Sequence, residues 1–161
     1  MGRKEYSYNP VMGMRDLALD VEKMFWKDPK FEGIIGTEEA DMLSHFYGQM
    51  YATKNYGWLG AKVAGVFNEA NGYFRRGNTL EDTQVDFYNN KAGRDFYDED
   101  KLEILEKLLN NEPVDSVQFH EFISYGINNS IVPPKQRKLD DLSRENRYSS
   151  ERIMDFIKEI F

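Results

Sequence analysis

Three polar rows stand out inside segments that are otherwise apolar: Asp41, His45 and Gln49; Asn68 and Glu69; and Asp82, Asp86 and Asn90. Residues four apart share one face of a helix, so the first and last rows each point one way. Histidine titrates near neutral pH and serves as a general base or a metal ligand; Asp41, one turn before His45, can orient its ring or share a cation with it. Glu69 follows a row of small residues, where crowding and desolvation raise a carboxyl pKa towards acid–base use. Oxygens from Asp86 and Asn90 suit a hard cation, and His45 with Glu69 adds a zinc- or manganese-type set. The expected catalytic group is His45, Glu69 and Asp86, with His45 and Asp86 as the ligands of a divalent metal. Asp41, Gln49, Asn89, Asn90 and Arg94 are expected to position substrate or to complete a polar network.

Each row also has a structural reading. An Asp-His pair can satisfy a helix surface, Glu69 can stand exposed near a helix end, and Asn89-Asn90 near Gly93 can serve capping and inter-helix hydrogen bonds. Arg94 would then pair with Asp82, Asp86 or Glu69. Asn68, about 100° round the helix from Glu69, is expected to meet a neighbouring backbone. His120-Glu121 has no partner at ligand spacing and reads as surface or packing. The basic run Lys135-Gln136-Arg137-Lys138 is followed by Asp140-Asp141, which reads as a solvated arm or as a contact for an acidic partner.

The elements that must position these residues follow from apolar spacing. Met14, Leu17, Val21, Met24 and Phe25 predict a helix over 12–26, stopped by Asp28-Pro29. Thr37 with Glu38 and Glu39 predicts the cap and acidic first turn of a helix reaching about Lys54. Asn55-Tyr56-Gly57 breaks the chain before a third helix over 58–71, whose small row Ala61, Gly65, Asn68 and Gly72 invites close approach of another backbone. Arg75-Arg76-Gly77-Asn78 reads as a polar loop, and Thr79 or Asp82 starts a fourth helix weakened towards its end at Gly93. Further helices are predicted over 98–110, over 116–125 and from Ser149-Ser150 onwards, the last with Ile153, Phe156, Ile157 and Phe161 on one side. No segment alternates with the period of a strand. The expectation is an all-α fold, a single compact orthogonal bundle of six to seven short helices. Residues 1–132 form its core, and a polar arm and C-terminal helix over 133–161 pack on the same domain.

Composition narrows the function. The chain has 161 residues, enough for one buried core, and no cysteine, which excludes disulfides, thiolate zinc sites and a cysteine nucleophile. A net charge of -7 argues against broad binding to nucleic acid or anionic membranes. No stretch reaches the ~20 apolar residues of a membrane span, and the N-terminus does not read as a signal peptide. Cytoplasmic synthesis, with release or packaging in a virion by another route, is the expectation. GxSxG, P-loop, HExxH and dinucleotide fingerprints are all absent from the sequence.

The segments 41–47, 67–69 and 86–94 together resemble an uncharacterised helical domain found at the C-termini of bacterial polymorphic toxins and in related phage or secreted proteins. That domain carries an Arg-His-Ala-aromatic-Trp segment, a His-Glu pair and Asp-x-x-Asn-Asn-x-x-Gly-Arg; the last is matched here by Asp86, Asn89, Asn90, Gly93 and Arg94. Ser44 stands where the pattern has Arg, Gly48 where it has Trp, and Asn68 where it has the His before Glu69. The resemblance covers roughly residues 37 to 97 and implies a shared helical core. It points to a toxin- or phage-associated, hydrolase-like domain acting on an envelope polymer or phosphodiester. The other expectation is a non-catalytic virion or assembly protein, engaged with a protein partner, in which the same residues form a buried network fixing helix register.

Overall fold

The computed structural model describes residues 5–131 and 150–160. Among these residues the protein is an all-α bundle: α1 (Pro10–Lys27), a 3-10 turn (Pro29–Phe31), α2 (Thr37–Asn71), a π-helical turn (Gly72–Arg76), α3 (Leu80–Asp95), α4 (Glu99–Leu109), α5 (Ser116–Asn128) and α6 (Ser150–Ile160). The basic run at 135–138, with Asp140-Asp141, lies outside the described residues.

Local chemistry sets the boundaries. Asn9 caps α1 by accepting from the amides of Val11 and Met12, and Asp28 ends the helix and caps the 3-10 turn. Thr79 and Asp82 close a reciprocal capping box on α3, which takes Asp82 out of the polar row and gives it to the helix start. Two expectations at helix ends are corrected. Gly36, not Thr37, caps α2, because the Thr37 hydroxyl turns to Glu38. Gly93 does not weaken the end of α3, which continues to Asp95.

The decisive feature is Gly57. It interrupts α2 with φ 71° and ψ 168°, a conformation open almost only to glycine. A straight helix would hold His45 and Glu69 about 36 Å apart. Their side chains instead meet at 3.5 Å, so the arms 37–56 and 58–71 fold back on one another as a helical hairpin. Gly65 and Gln49 lie equally far from the corner and meet across it. A Cβ on Gly65 would stand 2.6 Å from the Gln49 amide nitrogen, so at Gly65 the small row admits a side chain where another backbone was expected.

α2 packs mainly against α1 and α3. Leu43, Phe46, Tyr47 and Met50 on its first arm join Leu17, Val21 and Phe25 of α1 and Leu102, Leu105 and Phe122 in one core. Tyr47 stacks on Phe122 at 4.0 Å and donates its hydroxyl to the Phe122 carbonyl. α3 crosses the first arm so closely that a Cβ on Gly93 would come within 2.1 Å of the Phe46 carbonyl oxygen. Gly93 is thus a crossing point. α6 packs on α3: Phe156 is buried among Tyr73, Phe74 and Phe87, while Ile153 and Ile157 remain partly exposed. No helix among the described residues is long and apolar enough to cross a membrane.

Candidate functional site

The two arms of α2 and the middle of α3 bring the polar rows together around the His45 imidazole. Its Nδ1 lies 3.1 Å from Asn90 Oδ1, and its Nε2 lies 3.3 Å from Asp86 Oδ1 and 3.8 Å from Asp41 Oδ1. Asn90 turns its amide nitrogen to Glu69 Oε1 at 2.8 Å, so its oxygen faces the ring. That arrangement makes Nδ1 the donor to Asn90 and leaves Nε2 for the two aspartates. Asn68 also donates to Glu69 Oε1, at 3.2 Å; the expectation that it meets a neighbouring backbone is corrected. Glu69 is not exposed near its helix end: it is 1% exposed and carries two amide donors.

The charge balance is unusual. Three carboxylates, Asp41, Glu69 and Asp86, lie within 3.8 Å of one imidazole. Burial alone would discharge the imidazolium, but Asp86, Glu69 and Asp41 together outweigh it and push the His45 pKa up to about 10. Burial raises the Asp86 carboxyl well above the usual carboxylate range, against the pull of His45, and Glu69 and Asp41 raise it further. The cluster therefore holds protons that isolated groups would have released.

The same atoms can hold a cation. Asp41, His45 and Asp86 each offer one ligand atom, and these lie within 4.8 Å of one another. Ligands about 2.1 Å from a tetrahedral ion are about 3.4 Å apart, close to the distances from Nε2 to the two aspartates. A neutral imidazole held at Nδ1 by an acceptor is the usual state of a metal-bound histidine.

The site opens on one side. Asp41, Ser44, His45, Asn68 and Asn90 line a cavity of about 510 Å³ between α1 and the α2 hairpin. Asp86 and Glu69, which meet the ring at Nε2 and Nδ1 respectively, are not part of the lining. The cavity wall adds Met12, Leu19 and Phe67, and Arg15, Arg75 and Arg76. These three arginines were not foreseen as site residues. Arg75 and Arg76 belong to the π-helical turn rather than to a loop, and the adjacent pair followed by Gly77 is the sequence signal that marks them.

The remaining expected residues lie to one side of the imidazole. Gln49 is fully buried and accepts from Arg94 Nη1 at 2.9 Å. Arg94 thus pairs with none of Asp82, Asp86 and Glu69; its guanidinium carbon also lies 5.4 Å from the Trp58 ring centre. Asn89 bonds both the amide and the carbonyl of Ile131, each at 2.8 Å, and so ties α3 to the residues after α5. His120 is exposed, the surface alternative of the two that the sequence left open. Compared with protein-family models, curated proteins and solved structures, the chain has no match.

Proposed function

We propose that this chain is a hydrolase-like domain in which Asp41, His45 and Asp86 hold a divalent cation beside the cavity. It would act on an envelope polymer or phosphodiester in a toxin- or phage-borne setting. One observation carries the reading: Asn90 commits His45 Nδ1, so Nε2 and two carboxylates converge beside a cavity with more negative charge than one imidazolium balances. A cation would offset that charge without protons. One histidine and two carboxylates suit Mn²⁺ or Zn²⁺. Such an ion supplies Lewis-acid polarisation of a scissile ester and activation of water.

In this reading Glu69 is a positioning residue. Its oxygen is given to Asn68 and Asn90, and it acts through Asn90 on the ring. Ser44, whose hydroxyl donates to the Ala40 carbonyl at 2.7 Å, contributes polarity to the wall but no activated nucleophile.

The test is metal content. Purified protein equilibrated with Mn²⁺ or Zn²⁺ and then desalted should retain one ion per chain, and a chelator should lower its melting temperature. Asp86→Asn and His45→Ala should lose the ion. A chain that takes up no metal, with a melt indifferent to chelator, removes this reading.

A second reading draws on the bonds that join elements: Asn90 to Glu69, Arg94 to Gln49 and Asn89 to Ile131. They suit a non-catalytic virion or assembly protein with a protein partner, in which the buried network fixes helix register. His45→Ala would then lower stability equally with and without added metal.

A further inference from the structure

We propose that the cavity in front of His45 takes a phosphate ester carrying an apolar substituent. As a substrate class this rests on the hydrolytic reading above; as a binding preference it stands on the cavity wall.

Arg15 of α1 and Arg75 and Arg76 of the π-helical turn all line the cavity, in a chain whose net charge is -7. Arg15 and Arg76, both exposed, carry the argument: they place two permanent cations in a lining whose carboxylates are Glu22 and Asp41. Guanidinium is the planar, permanently charged group that matches phosphate oxygens in pairs. A neutral glycan or peptide bond has no use for such a pair.

Arg75 and Arg76 are presented by an unusual backbone. The segment Gly72–Arg76 is a π-helix, a wide turn that recurs at functional sites, and Gly77 ends it in the left-handed region at φ 77°. Gly72 leaves room for the arginine side: a Cβ there would stand 3.1 Å from Arg76 Nη2 and 2.9 Å from Asn78 Nδ2.

The rest of the wall selects what the phosphate carries. Met12, Leu19 and Phe67 keep 50%, 42% and 59% of their surface exposed although each borders the cavity. Their apolar surface can cover an alkyl, aryl or nucleobase group. The volume of about 510 Å³ suits one drug-sized ligand. Phosphate towards the arginines, apolar substituent along Phe67 and ester bond towards His45 is the orientation these positions favour.

The test is calorimetric titration of the full chain, with and without Mn²⁺. Phenylphosphonate, a non-hydrolysable stand-in for the ester, is compared with inorganic phosphate and phenyl glucoside. Phenylphosphonate should bind about tenfold or more tightly than phosphate, and the glucoside should give no heat. Arg15→Gln with Arg76→Gln should weaken phenylphosphonate by about tenfold or more, with the melting temperature unchanged because both side chains are exposed. Phe67→Ala should erase the preference for phenylphosphonate over phosphate. No phosphonate binding, equal binding of the glucoside, or indifference to the arginine changes would overturn the proposal. Thymidine 5′-phosphate against octyl phosphate then tells a nucleoside-like from a chain-like substituent, and either order supports the class. Mn²⁺ uptake without phosphonate binding overturns the substrate class alone. Arginine-dependent phosphonate binding without Mn²⁺ uptake supports the class and removes the hydrolytic reading.

Discussion

Without metal, the protein should lose stability as pH rises, and His45 should be the reason. The imidazole pKa is raised from 6.5 to about 10 in the folded state. Its contribution is therefore fully present below about pH 6.5 and is lost as pH rises towards 10. Asp86 acts with the same sign, since a carboxyl raised on folding stabilises below its unfolded value, about 3.9, and ceases to as pH passes through its folded value. One proton held only by the folded state is worth at most about 1.4 kcal/mol per pH unit. The His45 side chain is 15% exposed, so roughly 1 kcal/mol per unit is the working figure after solvent screening. Urea denaturation at pH 6.5, 7.5 and 8.5 in chelator measures it, and His45→Gln should flatten the slope. Saturating Mn²⁺ should flatten the profile above about pH 6.5, because each proton the ion displaces makes binding about tenfold tighter per pH unit and so offsets what the metal-free fold loses. A flat profile in the metal-free wild type, or an unchanged slope in His45→Gln, would refute the proton-holding cluster.

Three further outcomes follow from packing. Gly93→Ala would drive a Cβ into the Phe46 backbone and force α3 off the first arm of α2, costing about 3 kcal/mol in urea denaturation. Gly65→Ala presses only on the Gln49 side-chain amide, so it should cost less, about 1 kcal/mol, by displacing Gln49 from Arg94. Asn89→Ala removes both bonds to Ile131 and leaves its amide and carbonyl unpaired; hydrogen exchange at Ile131 should accelerate, with a loss of about 1–3 kcal/mol.

The helical class, the break at Gly57 and the polar rows that carry Asp41, His45, Glu69, Asp86 and Asn90 were legible in the sequence, because i,i+4 spacing and glycine signals are local; that the rows meet was not. What was not legible depends on where the hairpin returns. Gln49 shares a helix face with His45, yet it faces Arg94 because Gly65 opens room for it across the corner. Asn68 was expected to serve backbone, but the fold puts Glu69's oxygen within its reach. Arg75 and Arg76 read as loop residues because a π turn has no periodic signature of its own. Arg15 looked like an ordinary exposed position on α1, and only the cavity beside the hairpin gives it a role.

The segment from Asp86 to Arg94 shows how one short motif serves two ends. Asp86 and Asn90, one turn apart, face the imidazole from its two nitrogens, one to Nε2 and the other to Nδ1. Gly93 lets the helix carrying them press against the backbone of Phe46, the neighbour of His45, and that contact sets how near the two side chains come. Arg94 and Asn89 then hold the crossing from either side, through Gln49 and Ile131. Glycine at the crossing and carboxylate at the ring are thus one requirement. Widening the crossing by a methyl group should separate Asp86 from His45 Nε2, so Gly93→Ala should weaken any metal site even where the chain still folds, whereas Gly65→Ala should spare it. A Gly93→Ala protein that is folded at low temperature yet binds Mn²⁺ like the wild type would show that α3 does not set the geometry of the site.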